Sequence, residues 1–279
     1  MRPRLRLLED ALVAKILDEA RGILESPGIA VHNDAVVALL TDHGAHVDPG
    51  TRRVRIRGDL VDAALAVAPH GIRLYDVLGN ETHRLEGDRV HFTPGSAAIN
   101  ILDGVTGAIR RPSTADYVRY VKVVSGLPHI AAQSTAFIPA DVPETVSDSY
   151  RLFLSLLYGE KPVVTGAFSA AGFSVMRDLQ LAVRGSAEAL EAKPLAIFSA
   201  CPTAPLSWGF ETSQNVVDCA RSMIPVEFIS MPLAGFVAPV TLVGSVIQHA
   251  AETLSGLVIS QLARPGAPVL WGGSPAVFD

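Results

Sequence analysis

Charge is scarce in this chain. Of 279 residues only 18% are charged against 49% hydrophobic, and mean hydropathy is +0.32. Two cysteines, Cys201 and Cys219, are too few for a disulfide framework and lack metal-ligand spacing, so no metal site is expected. A net charge of −5 and a pI near 5.9, with no basic stripe, argue against a nucleic-acid partner. No uninterrupted apolar run reaches membrane length. The most apolar helical stretch is interrupted by Gln248, His249, Glu252 and Gln261, which reads as a helix packed in protein. The start, MRPRLRLLEDALV, has basic residues but no apolar core and no cleavage site, so we expect no secretion signal and a cytoplasmic protein. Motifs are missing too. There is no Walker phosphate loop, HExxH, GxSxG or CxxC, and no glycine fingerprint for a dinucleotide follows any expected strand. Classical hydrolase and phosphotransferase chemistry therefore has little support.

What is present is a change of pattern near residue 89. Residues 1–88 read as an α+β extension. Leu7 to Leu24 is an amphipathic helix, Asn33 or Asp34 caps a second, and Asp59 to Val67 is a third, closed by Ala68-Pro69. Ile72 to Tyr75 and Glu81 to Arg84 flank Leu78-Gly79-Asn80, which predicts a hairpin. Residues 89–279 repeat. Apolar runs follow Pro128, Pro162, Pro194, Pro225 and Pro268, separated by helical segments, the pattern of stacked βα units. Adding Val90 to Ile99 makes six strands. Each reads as a continuous apolar run, as strands buried on both faces do. The fold class expected is α/β, a TIM-like (β/α) barrel with six of its eight strands present, and hence a chain cut short at its C-terminus. An open parallel edge favours an oligomer, so we expect a homo-oligomer.

Ligands of such units bind at the C-terminal ends of the strands. The residues placed there are Thr93, Ser96 and Asn100; Gln133 and Thr135; Thr165 and Phe168; Ser199 and Cys201; Ser230 and Met231; and Trp271. As substrate-binding candidates we take Gln133, Thr135, Thr165, Phe168, Ser199, Cys201, Met231 and Trp271. Gln133 and Thr135 alternate with Ser134 and share one face, which could point into the barrel mouth. This lining is neutral, with hydroxyls, an amide, a thiol and aromatic rings but no acid–base pair. It suits a cationic substrate held by aromatic faces and partial charges better than a reaction in which the protein moves protons.

Three segments carry a family likeness: RPSTADYVRYVKVVSGLPHI, DSYRLFLSLLYGEKPVVTG, and above all PLAGFVAPVTLVGSVIQHAAETLSGLVISQLARPGAPVLWGG. They resemble the trimethylamine methyltransferase family, including relatives without pyrrolysine that demethylate quaternary amines such as glycine betaine. The resemblance implies a β/α barrel that takes a methyl group from a methylated amine. It implies that this chain binds no cofactor and that the acceptor is a corrinoid (cobalamin) carried on a partner protein. It assigns no catalytic residue, because the matched segments hold none that can be transferred. The alternative is a non-catalytic ligand-binding or assembly subunit formed by a partial barrel.

Overall fold

The computed structural model describes residues 6–277. The extension contains α1 (Asp10–Glu25), β1 (Ile29–Val31), α2 (Asp34–Asp42), β2 (His46–Val47), β3 (Arg53–Arg55), α3 (Gly58–Val67) and the hairpin strands β4 (Ile72–Tyr75) and β5 (Glu81–Leu85). Then come β6 (Ile101–Leu102), β7 (Ile109–Arg110), α4 (Thr114–Ser125), β8 (Gln133–Ser134), α5 (Ser147–Tyr158), β9 (Val163–Thr165), α6 (Ala170–Arg184), α7 (Ala187–Ala192) and β10 (Ala196–Ala200). The chain continues through β11 (Ser207–Trp208), α8 (Phe210–Arg221), β12 (Val226–Ser230), β13 (Leu233–Ala234), α9 (Leu242–Ala263), β14 (Val269–Gly273) and β15 (Ala276–Val277).

Several helix starts carry side-chain caps. Asn33 accepts from the amides of Ala35 and Val36, Ser113 makes a capping box with Asp116, and Thr241 accepts from Gly244 N. These caps meet orphan amides that the first turn cannot pair internally.

The central element is a parallel sheet of five strands in the order β8-β9-β10-β12-β14. Each strand lies beside the one before it in the chain, so the order never reverses. A doubly wound sheet reverses at a switch point; this one winds in a single direction. Among the described residues the sheet does not close on itself, and the expectation of six strands is corrected to five. The run from Val90 to Ile99 forms only two isolated parallel bridges, Phe92 with Ile130 and Ala98 with Phe137. Pro94 lacks an amide hydrogen and Gly95 follows it, which breaks the ladder between the bridges.

The register assigns side chains to faces. Val226, Phe228 and Ser230 of β12 lie in line with Phe198 and Ala200 of β10 and face the helices; Phe198 meets Phe173 of α6 and Phe228 meets Trp208. Ile197 and Ser199, with Glu227, Ile229 and Leu270, face the other way. Helix α9 lies against β12, β14 and α8, and receives α1 and α3 on its other side, so residues 1–88 and the sheet half share one core. Strand β11 even completes the β1 sheet. By length and composition α9 could cross a membrane, but 67% of its apolar window is buried inside the protein. Gly256 allows the close contact: a Cβ there would stand 2.8 Å from both Phe228 and Trp208.

The hairpin β4–β5 lies against the opposite face, at the N-terminal ends of the strands. Ile72 and Leu74 cluster with Ile197, Leu85 and Leu270. Tyr75 N donates to Pro194 O (3.0 Å) and Val77 N to Glu160 O (2.8 Å). Arg184 of α6 donates to the carbonyls of Asp76 (2.7 Å) and Val77 (3.1 Å). One end of the sheet's inner face is thereby stoppered, and the other is left for a ligand.

Candidate functional site

At the C-terminal ends of β8, β9 and β10 lies a cleft of about 300 Å³. Thr135, Thr165, Phe168, Ser199 and Cys201 line it, five of the eight residues chosen from the sequence; Ser96 joins them. The Thr135 hydroxyl donates to Thr165 Oγ1 at 3.2 Å, tying two strand ends together.

The other three lie elsewhere. Gln133 is turned to the helix layer, where Nε2 donates to Ser155 O (3.0 Å) and Lys161 O (3.1 Å). Its pairing with Val163, and that of Ser134 with Val164, puts Ser134 on the inner face. Thr135, of the same parity, reaches the cleft from just beyond the end of β8, whereas Gln133 begins that strand and is held by backbone carbonyls of α5 and the turn before β9. Met231 is exposed beyond the end of β12, outside the cleft wall. Trp271 shares the register of Phe228 and donates from Nε1 to His249 Nε2 of α9 at 3.2 Å, on the helix side.

Sequence reasoning missed a charged cluster behind Phe168. Arg151 of α5 is 1% exposed. It donates to Thr135 O (3.0 Å) and Asp148 Oδ1 (3.1 Å), and its guanidinium lies 5.0 Å from the Phe168 ring centre. Asp148 Oδ2 accepts from Phe168 N at 2.5 Å. One buried ion pair thus fixes the loop after β9. The i, i+3 spacing of Asp148 and Arg151 on an otherwise apolar helix was the available signal.

The lining is also less neutral than expected. Glu227 sits on the inner face of β12, opposite Ser199, whose hydroxyl donates to Glu227 Oε1 at 2.5 Å. Burial pushes the Glu227 carboxyl above its ordinary value, and the Ser199 bond opposes only part of that rise. Burial, and then the charge of Glu227, push the Cys201 thiol up, so it is no ready nucleophile. A second carboxylate lies one layer out. Glu252 of α9 is 1% exposed and accepts from Leu206 N (2.8 Å), Gln248 Nε2 (2.9 Å) and the Ser230 hydroxyl (2.5 Å). All these partners are neutral. Neither Glu227 nor Glu252 has an ion-pair partner among the described residues. The signal for Glu227 was a single acid inside VEFIS, a strand otherwise apolar or hydroxylic.

The cleft thus offers hydroxyls, a fixed aromatic ring and a buried arginine, with the Glu227 carboxyl behind Ser199, and no group of three or more metal-ligating residues among the described residues. It can hold a cation; it does not resemble a hydrolytic centre. The model of the trimethylamine methyltransferase (MTTB) family matches residues 1–279. The chain belongs to that family. A trimethylamine methyltransferase MttB of Desulfitobacterium hafniense (strain DSM 10664 / DCB-2) is 28% identical over 257 residues, covering 92% of this chain and 52% of that protein. MttB2 of Methanosarcina mazei is 31% identical over 278 residues, with 92% and 53% covered. A glycine betaine methyltransferase of Desulfitobacterium hafniense (strain Y51) is 23% identical over 278 residues, with 99% and 57% covered. The chain spans about half the length of the curated relatives it matches.

Proposed function

We propose that this chain supplies the substrate-binding part of a β/α-barrel methyltransferase that takes a methyl group from a tertiary or quaternary methylated amine. The single observation that carries this reading is Glu227. It is a buried carboxylate on the inner face without a cation, bonded to the hydroxyl of Ser199, which belongs to the same cleft wall as Phe168. A substrate with a positive nitrogen would supply the missing charge. The singly wound strand order supports the barrel architecture. The names of the relatives, trimethylamine and glycine betaine methyltransferases, support the substrate class.

A corrinoid on a separate protein would supply the nucleophile and accept the methyl group. The residues present fit that division of labour: no side chain in the cleft is an activated nucleophile, and Met231, Val240 and Leu242 leave apolar surface exposed around the mouth. What this chain's residues do is orient the ammonium. Glu227 attracts it, Phe168 covers it, and the hydroxyls of Thr135, Thr165 and Ser199 keep polar atoms beside it. Titration calorimetry with a panel of methylated ammonium ions should show binding that weakens about tenfold or more in Glu227→Gln. Absence of heat for the whole panel would defeat the reading.

A second reading, an assembly or ligand-binding unit without catalysis, is favoured by β14. This strand pairs with β12 on one side, and its Trp271 is 48% exposed. Light scattering decides whether copies associate; a monomer at high concentration removes that reading's basis.

A further inference from the structure

The outer face of a helix that packs on a sheet meets water and is ordinarily polar. Helix α5 is built the other way round. Its only charged residues, Asp148 and Arg151, are buried. The residues that point outward are Val146, just before the helix, then Tyr150, Phe153 and Leu157, the i, i+4, i+7, i+11 spacing of one helix stripe. Val146, Phe153 and Leu157 are 45%, 41% and 56% exposed, and the rings of Tyr150 and Phe153 stack with centres 6.5 Å apart. Two further exposed residues widen the stripe: Tyr158 at the end of α5, and Val175 of α6, one turn on from Gly172, which lies beside Asp148. Together these side chains expose about 450 Å², more than half of the roughly 800 Å² that each partner of a standard interface buries. An apolar face of this size marks a contact surface.

We infer that this stripe is the two-fold contact between two copies of the chain, with α5 packed antiparallel on α5 of the second copy. Position argues against the nearest alternatives. Chain that extended the parallel sheet would attach at its edges, β14 or the bridged run 92–98, whereas α5 has α4 on one side and α6 on the other. A protein serving the cleft would approach the C-terminal ends of the strands, and the stripe leads away from them, because α5 runs from the end of β8 to the start of β9. A second copy presents the same stripe, and a two-fold contact requires a self-complementary surface. Charge sets the direction. Glu144 is exposed two residues before Val146, and at the other end Lys122 of α4 stands over the Tyr158 ring, 5.8 Å from its centre. Glu160, past that end, belongs to the turn held by the hairpin, where its carbonyl accepts from Val77 N. Antiparallel packing brings the Glu144 end of each copy to the Lys122 end of the other, whereas parallel packing would set like charges together. Association through α5 is independent of what the cleft binds, and it lies on the helix layer instead of at the β14 edge.

The test is light scattering over a concentration series of the full chain, with Phe153→Glu, Leu157→Glu and, at the sheet edge, Trp271→Glu. The wild type is expected to be a dimer. Each α5 substitution should weaken dimerisation by roughly thirtyfold or more, because the two-fold axis places the new charge in the contact twice. Both positions are exposed in the single chain, so circular dichroism of these variants should match the wild type. Trp271→Glu should leave the dimer in place. Glu144→Lys alone should weaken association, and adding Lys122→Glu should restore it, which only the antiparallel arrangement predicts. A monomeric wild type, or a dimer that withstands both α5 substitutions, overturns the inference. A dimer lost only in Trp271→Glu overturns it in favour of the β14 edge. A dimer that breaks with the α5 substitutions but is not restored by the charge exchange overturns the antiparallel arrangement.

Discussion

The two ends of the parallel sheet are built from opposite materials. At the N-terminal ends, the inner face is closed by Ile72 and Leu74 against Ile197 and Leu270, and Arg184 satisfies the carbonyls of the hairpin turn. At the C-terminal ends, the same face carries Ser199 and Glu227, and the cleft walls add Arg151 and an unpaired amide oxygen on Asn215. One end is apolar; the other carries, beside the Arg151–Asp148 ion pair, a buried carboxyl bonded only to a neutral hydroxyl and an amide oxygen without a partner. Stability is therefore concentrated at one end, and polar groups with unmet partners at the other. Unmet partners are what a ligand completes, so the contrast locates function without reference to any motif.

The comparison breaks most visibly if the closed end is hollowed out. Leu74 is fully buried and touches the inner face of the sheet. Leu74→Ala should destabilise the protein by about 2–5 kcal/mol, read from the urea midpoint. The affinity of the cleft for an ammonium ion should stay the same under native conditions. If affinity falls in step with stability, the two ends are not separable. A related cost is expected at the helix–sheet contact. Gly256→Val puts side-chain carbon where Phe228 and Trp208 already stand and should cost roughly 1–3 kcal/mol.

At the open end the sign reverses. Glu227→Gln keeps the size and a hydrogen-bonding partner for Ser199 but removes a charge that burial disfavours. It should stabilise the chain by about 1 kcal/mol at neutral pH while weakening ammonium binding. A stability loss on this substitution would mean that Glu227 is structural, and the contrast between the ends would fail.

Much of this arrangement was legible in the sequence, and the gaps have physical causes. The capping signal at Asn33 placed the start of α2, and the Ala68-Pro69 stop placed the end of α3, because such signals act locally. The hairpin β4–β5 was legible for the same reason. What it covers was not, since that contact joins residues more than a hundred positions apart. The strand expected over Val90 to Ile99 was lost to Pro94 and Gly95, whose effect on a ladder outweighs the apolar pattern around them. Of the residues chosen by position at strand ends, the structure brings Thr135, Thr165, Phe168, Ser199 and Cys201 together in one cleft. Gln133 lies outside that cleft although Thr135 shares its parity, because it stands at the start of β8 and is held by Ser155 O and Lys161 O. Arg151 and Asn215 escaped because they reach the cleft from helices, where strand-end reasoning does not look.

The smallest and most specific effects are in pH. His83, on the hairpin, is held neutral by burial and by the neighbouring His91, with its pKa lowered to about 4. A histidine with a depressed pKa binds fewer protons folded than unfolded. Its contribution is thus complete above the unfolded value near 6.5 and is lost as pH falls from there toward 4. Glu227 behaves in the opposite sense. Its raised carboxyl binds more protons folded than unfolded, so its contribution is present below the ordinary value of 4.5 and is lost as pH rises through its raised one. A cationic ligand changes that second balance, because it favours the ionised carboxylate. Ammonium affinity should therefore rise with pH across the raised Glu227 value and level off above it, with a proton released on binding below the plateau. The same titration in Glu227→Gln should be flat in that window, while His83→Phe should leave the binding curve in place and remove only the acid-side loss of stability. A binding curve that moves with His83 instead would place the ligand at the closed end of the sheet and invert the comparison.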